Sequence, residues 1–206
     1  PNKKSLKLLP VMFWIHGGGN TSGLKDIYDF STMVNRHDVI VVTINYRLGA
    51  FGWFTHPAIQ DNNDGIDKAS NFGTLDIIEA LKWVNNNIKL FGGDPSNITI
   101  FGESAGGHNV LSLMVAPQAK GLFHKAISQS GYTTSIDVKA AYKQNKNTST
   151  SSYTSFNVVN RILDQKLINK DRGTLDTKDL NKLLLGLTAE EFFSYYAERP
   201  SYEEIP

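Results

Sequence analysis

Hydrophobic residues change period repeatedly between Leu8 and Ser130. Leu8 to His16 and Asp38 to Tyr46 are apolar, β-branched runs that end in polar or glycine-rich loops, the pattern of buried parallel strands. Between them and the next such run, Ile77, Leu81, Val84 and Ile88 recur at helical spacing, which predicts one face turned to a sheet; Thr74 is the predicted cap and Gly92-Gly93-Asp94-Pro95 the stop. A third strand is predicted at Asn97 to Phe101, a helix over Gly107 to Val115 that ends before Pro117, and a fourth strand at Lys125 to Ser130. The alternation predicts an α/β fold, a mostly parallel sheet flanked by helices, with a helical region after the fourth strand.

After Tyr132 the pattern changes. Gln144 to Ser155 is rich in Asn, Ser and Thr and reads as an exposed, mobile loop. Phe156, Val159, Leu163 and Leu167 make one helical stripe, and Leu180, Leu183, Leu184 and Leu187 make another. Thr188 followed three residues on by Glu191 is a capping box for a last helix through Tyr195 and Tyr196. The organisation expected is one domain over 1–206, with a sheet core over 1–132 and a helical, cap-like region over 133–206; no internal repeat is found.

Composition narrows the partners. With 40% hydrophobic residues, 206 residues can bury a core of single-domain size. A net charge of +1, with the basic residues scattered, supplies no field for nucleic acid and no polybasic membrane patch. No apolar run is long enough to span a membrane, and no signal peptide is read within these residues. The cysteine count is zero, so no thiolate site exists here, and the histidines lack H-x-x-x-H or H-E-x-x-H spacing; neither metal nor cofactor is expected. Compartment, cytoplasmic or secreted, and oligomeric state stay open.

The chemistry is concentrated in two glycine-rich segments, each after a strand. Gly102-Glu103-Ser104-Ala105-Gly106 follows the strand Ile98 to Phe101 and precedes a helix, the form of a nucleophile elbow. The serine of such a turn is strained, and the chain crosses itself so closely that side chains at Gly102 and Gly106 would clash. Upstream, Val11 to Ile15 feeds into His16-Gly17-Gly18-Gly19, the pattern that supplies backbone donors to an oxyanion. Donors are expected from Ala105, the residue after the serine, and from Gly18 and Gly19. Free amides and the positive helix end at Ala105 favour an anion at the same place.

Taken with these motifs, Asn45 to Gly52, Leu75-Asp76, Ala80 to Val84, Phe91 to Pro95, Ile98 to Gly107 and Ser128 to Gly131 make the chain resemble the type-B carboxylesterases, the cholinesterase-like branch of the α/β-hydrolases. The resemblance is dense from Val11 to Tyr132 and thinner afterwards. It implies a partial α/β-hydrolase fold, a serine hydrolase that cleaves small-molecule carboxylic esters through an acyl-enzyme on Ser104, and a partly buried Glu103 in a supporting position. It also implies that the helices after Tyr132 build a wall over the site or serve as scaffolding.

Acyl transfer by serine needs a base and an acid that orients it, in the order serine, acid, histidine for this fold. Of His16, His37, His56, His108 and His124, only the last two follow Ser104, and no Asp or Glu lies between Ser104 and His124. The expectation is therefore that these residues are an internal piece of a longer protein whose triad acid and histidine lie beyond residue 206, and that the piece alone is inactive. A signal peptide could precede it. His16 is expected to fix the glycine loop, His37 and His56 to be surface or loop residues, and Arg47 to pair with Asp76 or Asp94. Phe51, Trp53 and Phe54 line either a gorge or the core. The alternative function is a catalytically silent binding or adhesion module on the same fold, against which the intact serine and glycine loop argue.

Overall fold

The computed structural model describes residues 7–62, 64–142, 154–166 and 175–197; residues 144–153 of the Asn/Ser/Thr-rich stretch, and Leu167, lie outside them. In chain order the elements are β1 (Leu9–Ile15), α1 (Ser31–Arg36), β2 (Ile40–Thr43), α2 (Gly49–Trp53), α3 (Pro57–Gln60), α4 (Phe72–Asn87), β3 (Gly93–Glu103), α5 (Ala105–Val115) and β4 (Lys125–Gln129). They are followed by α6 (Val138–Tyr142), α7 (Ser155–Lys166), α8 (Thr177–Leu185) and α9 (Ala189–Ala197). The chain separates into two compact units, Pro1–Trp53 with Asn71–Thr134, and Phe54–Ser70 with Ser135–Pro206.

The first unit holds a four-stranded sheet in the order β2-β1-β3-β4, parallel throughout. β1 and β3 are central, in register at Val11↔Ile98 through Ile15↔Gly102, so their C-terminal ends lie side by side. On one face Val11, Phe13 and Ile15 of β1 and Ile98 and Ile100 of β3 join Ile77, Leu81, Val84 and Ile88, and Val110 and Leu113 of α5, in one buried cluster. All four residues of the expected α4 stripe are thus core. Truncating one such as Leu81, fully buried, costs about 2–5 kcal/mol. On other residues of the same strands, Trp14 meets Tyr28, Phe30 and Phe101, and Phe101 meets Phe30, edge-on or tilted, with centroids 4.8–5.6 Å apart.

Four boundaries differ from the sequence expectation. α4 begins at Phe72 after Asn71, so Thr74 lies inside the first turn and caps nothing; the Arg47 guanidinium stands 5.2 Å over the Phe72 ring. β2 is shorter than its apolar run, whereas β3 starts at Gly93, once Gly92 has turned the chain at φ 85. α5 begins at Ala105, because the elbow turns into helix with no intervening residue.

The second unit is held by Val158, Val159, Ile162 and Leu163 of α7, Leu184 of α8, Tyr195 of α9 and Ala58 of α3. The α7 face is rotated from the expected stripe: Val158 and Ile162 are buried, and Phe156 is 36% exposed. The capping box forms in both directions, Glu191 N–H donating to Thr188 Oγ1 at 3.1 Å and Thr188 N–H to Glu191 Oε2 at 3.0 Å. His56 corrects the expectation of a surface histidine. It is 5% exposed, stacks on Phe54, and caps α3 by accepting from Ala58 N–H at Nδ1. Burial lowers its pKa to about 4 and keeps the ring neutral, as the accepting Nδ1 requires.

Candidate active site

Ser104 has φ 55 and ψ −121, in a region that L-residues seldom occupy, at the junction between the last residue of β3 and the first of α5. Such a conformation costs on the order of 1–3 kcal/mol and persists only where the surroundings over-determine it. Here the surroundings are backbone. A methyl group on Gly102 would fall 2.6 Å from the Gly106 carbonyl, and one on Gly106 would fall 2.1 Å from the Ile15 carbonyl oxygen. β1, β3 and the first turn of α5 therefore touch through main chain, and Ser104 N–H is tied to the Gln129 carbonyl of β4 at 2.9 Å. Gly107 closes the fit, since a methyl there would lie 2.6 Å from that same Gln129 oxygen.

The glycine loop leaves β1 beside this elbow. Gly17 is buried and comes close to Ser104: a methyl on it would be 3.2 Å from Ser104 Cβ and 2.7 Å from the Glu103 carbonyl oxygen. Gly18 and Gly19, at φ 102 and 64, are exposed. Among the described residues the amides of Gly18, Gly19 and Ala105 donate no backbone hydrogen bond. Glu103 is half-buried, with its carboxylate turned toward the glycine loop, 3.2 Å from where a Gly17 methyl would be. The five residues expected from sequence, Gly18, Gly19, Glu103, Ser104 and Ala105, thus stand at the C-terminal ends of two neighbouring strands.

The loop is anchored by residues that sequence reasoning missed. The Tyr46 hydroxyl donates to the His16 carbonyl at 2.7 Å and to Asn20 Oδ1 at 3.3 Å, and its ring stacks on that of His16 with centroids 4.4 Å apart. Burial pushes the Tyr46 phenol up to about 12, against a smaller opposing effect of the Asn109 amide, so it keeps its proton. His16, fully buried, donates from Nδ1 to the Gly17 carbonyl at 2.9 Å, in line with its expected loop-fixing part. Asn in a turn that requires positive φ was the one available signal for Asn20.

The side chains of the remaining histidines have other partners, although His108 N–H donates to the Ser104 carbonyl at 2.9 Å. His108 donates from Nδ1 to the Tyr132 carbonyl and stacks on the Tyr132 ring. His124 accepts from Ile98 N–H at the start of β4, and His37 is exposed after α1. Arg47 chooses Asp76 over Asp94, with Nε and Nη2 bonds of 2.8 and 2.7 Å to its carboxylate and a third from Arg47 N–H at 2.9 Å. Of the aromatics, Trp53 lies edge-on to Tyr46 and against Gly73, and Phe54 packs on Phe192 in the second unit; both are packing residues. Among the described residues no helix is long and apolar enough to cross a membrane, and no group of three His, Cys, Asp or Glu stands ready to hold a metal.

A parallel sheet whose inner strand turns into a helix through a serine at positive φ, beside a glycine loop on the neighbouring strand, defines an α/β-hydrolase. The chain belongs to the carboxylesterase family, whose model matches residues 1–199. It is 52% identical to the para-nitrobenzyl esterase of Bacillus subtilis (strain 168) over 127 residues, 61% of this chain and 25% of that relative. It is 48% identical to a liver carboxylesterase of Sus scrofa over 141 residues, 66% of this chain and 24% of the relative. A solved PNB esterase structure superposes with a TM-score of 0.73 and 35% identity, covering 98% of this chain and 38% of its own. The chain therefore spans about a quarter of the length of the curated relatives it matches.

Proposed function

We propose that the protein hydrolyses carboxylic esters of small molecules, with Ser104 as nucleophile and the amides of Gly18, Gly19 and Ala105 as oxyanion donors. Ser104 Oγ attacks the ester carbonyl carbon, and the carbonyl oxygen takes up the negative charge within the amide cradle. Collapse expels the alcohol, which carries away the serine proton by way of a base, and leaves the acyl group on Ser104. Water then attacks the acyl-enzyme, the acid departs, and the hydroxyl is restored. Because no acid and histidine follow Ser104 in the required order, the base and its orienting carboxylate are assigned to parts of the protein outside these 206 residues. Glu103, whose carboxylate lies toward Gly17, is assigned a supporting part and no step of the reaction.

The observation that carries this reading is the strained φ of Ser104 next to Gly17 and its two exposed neighbours. A binding module without covalent chemistry has no use for a conformation this costly. Ser104→Ala in the full natural chain is expected to lower kcat on an aryl acetate by roughly 10³-fold or more with KM little changed. Undiminished turnover by this variant contradicts the assignment.

A further inference from the structure

The turn after the triple glycine is tied to the helix behind Ser104 by uncharged side chains that the hydrolytic scheme does not use. Asn20 stands at φ 59, and its carbonyl accepts from Gly49 N–H at 2.7 Å. Its Oδ1 accepts from Asn109 Nδ2 at 2.8 Å and from the Tyr46 hydroxyl at 3.3 Å, while its own Nδ2 lies 3.5 Å from Asn109 Oδ1. Asn109 is 2% exposed and belongs to α5, the helix whose first residue follows Ser104. One amide pair thus bridges the loop that follows β1 and the helix that follows β3, across 89 positions of sequence.

The bridge has a mechanical consequence. Three successive glycines leave the loop with more backbone freedom than any other tripeptide, and a donor that wanders by about an ångström loses much of its effect on an oxyanion. A neutral pair suits the place, because a carboxylate at either position would set a negative charge near the one that develops in the reaction. We propose that Asn20 and Asn109 form a clasp that holds the glycine loop at its working distance from Ser104, so that both are positioning residues for the oxyanion donors. The clasp rests on the reading of Ser104 as an ester-hydrolysing nucleophile.

The test uses the full natural chain and two readouts, turnover of an aryl acetate and inhibition by an aryl boronic acid, whose tetrahedral serine adduct places an oxygen where the oxyanion forms. Asn20→Gly permits the positive φ and removes the side-chain amide, while Asn109→Ala removes the same bond without loosening the loop backbone. It is expected to lower kcat roughly 10- to 100-fold with KM within about twofold, and to weaken the boronic acid by the same factor as kcat/KM. Asn109→Ala should match it, and the double variant should fall no further than either single one. Unchanged kcat in Asn20→Gly, a kcat loss without weaker boronate binding, or losses that multiply in the double variant each overturn the clasp. If buried Asn109→Ala does not fold, Asn20→Gly decides alone. Ser104→Ala is run beside them: turnover that survives it removes the nucleophile assignment itself, whereas its loss together with an indifferent Asn20→Gly removes only the clasp.

Discussion

Two adjacent strands end in glycine-rich turns, and the two turns are held by different forces. At the end of β3, Gly102, Gly106 and Gly107 let main chain meet main chain, and the Ile15 and Gln129 carbonyls occupy the space that side chains would need. At the end of β1 the loop closes on itself, with Thr21 and Ser22 N–H donating to the Gly18 carbonyl at 3.1 and 3.0 Å, and it is also pinned from outside, by Tyr46 on His16 and Asn20, and by Asn109 on Asn20. The first device works by exclusion, main chain against main chain; the second adds side-chain hydrogen bonds from Tyr46 and Asn109 to a turn that already closes on the Gly18 carbonyl. In the proposed reading the nucleophile is fixed by forbidding every alternative, whereas the donors sit on an exposed loop that side chains tie down.

That contrast orders the expected effects of substitution. Gly106→Ala tests the elbow most severely. Helix propensity alone favours alanine by about 1 kcal/mol, but a methyl 2.1 Å from the Ile15 oxygen forces main chain apart, and a net loss of about 3 kcal/mol or more is expected in urea denaturation. Gly18→Ala comes next. Its φ of 102 and the Ser22 carbonyl oxygen 2.3 Å from the new methyl displace the loop, so turnover should fall roughly 100-fold with a stability loss of only about 1–3 kcal/mol. A wild-type rate in this variant contradicts a role for the glycine loop in turnover.

Tyr46→Phe sharpens it further. The loss of two hydrogen bonds from a buried hydroxyl is expected to cost about 1–2 kcal/mol in thermal unfolding, with a smaller fall in turnover than Gly18→Ala. Arg47→Ala is the mildest change, since the Arg47–Asp76 pair is half exposed and worth at most about 1 kcal/mol. Burial raises the Asp76 pKa, but the Arg47 side-chain and backbone bonds together outweigh it and bring it below 3.8. With a lowered folded-state pKa, the stability from this pair is complete above 3.8 and drains away as pH falls through the lower value. The difference in melting temperature between wild type and Arg47→Ala should therefore be constant near neutrality and shrink in acid; a difference that grows in acid contradicts the pairing.

The elbow was legible in the chain because its marks are local, although the Ile15 and Gln129 carbonyls that require them are not: three glycines and a serine within six residues can be read together, as can the spacing of Ile77, Leu81, Val84 and Ile88. The loop anchors were not, because nothing near Tyr46 or Asn109 in sequence marks what either one reaches. His56 escaped for a related reason. It follows Phe54 and Thr55 without any periodicity, and only the packing of Phe54 and Tyr142 around it makes it a buried cap. α4 starts before the predicted Thr74 cap, with Gly73 inside its first turn. The missing side chain of Gly73 admits the Trp53 ring and the Arg47 carbonyl at close range.

The claim on which the rest depends is that Ser104 forms the acyl-enzyme. Treatment of the full natural chain with a fluorophosphonate, followed by mass spectrometry of its peptides, tests this most directly. A single stoichiometric adduct is expected on the peptide that carries Ser104, with ester hydrolysis lost in step with labelling. An active, folded protein that carries its adduct on another residue, or none, contradicts it.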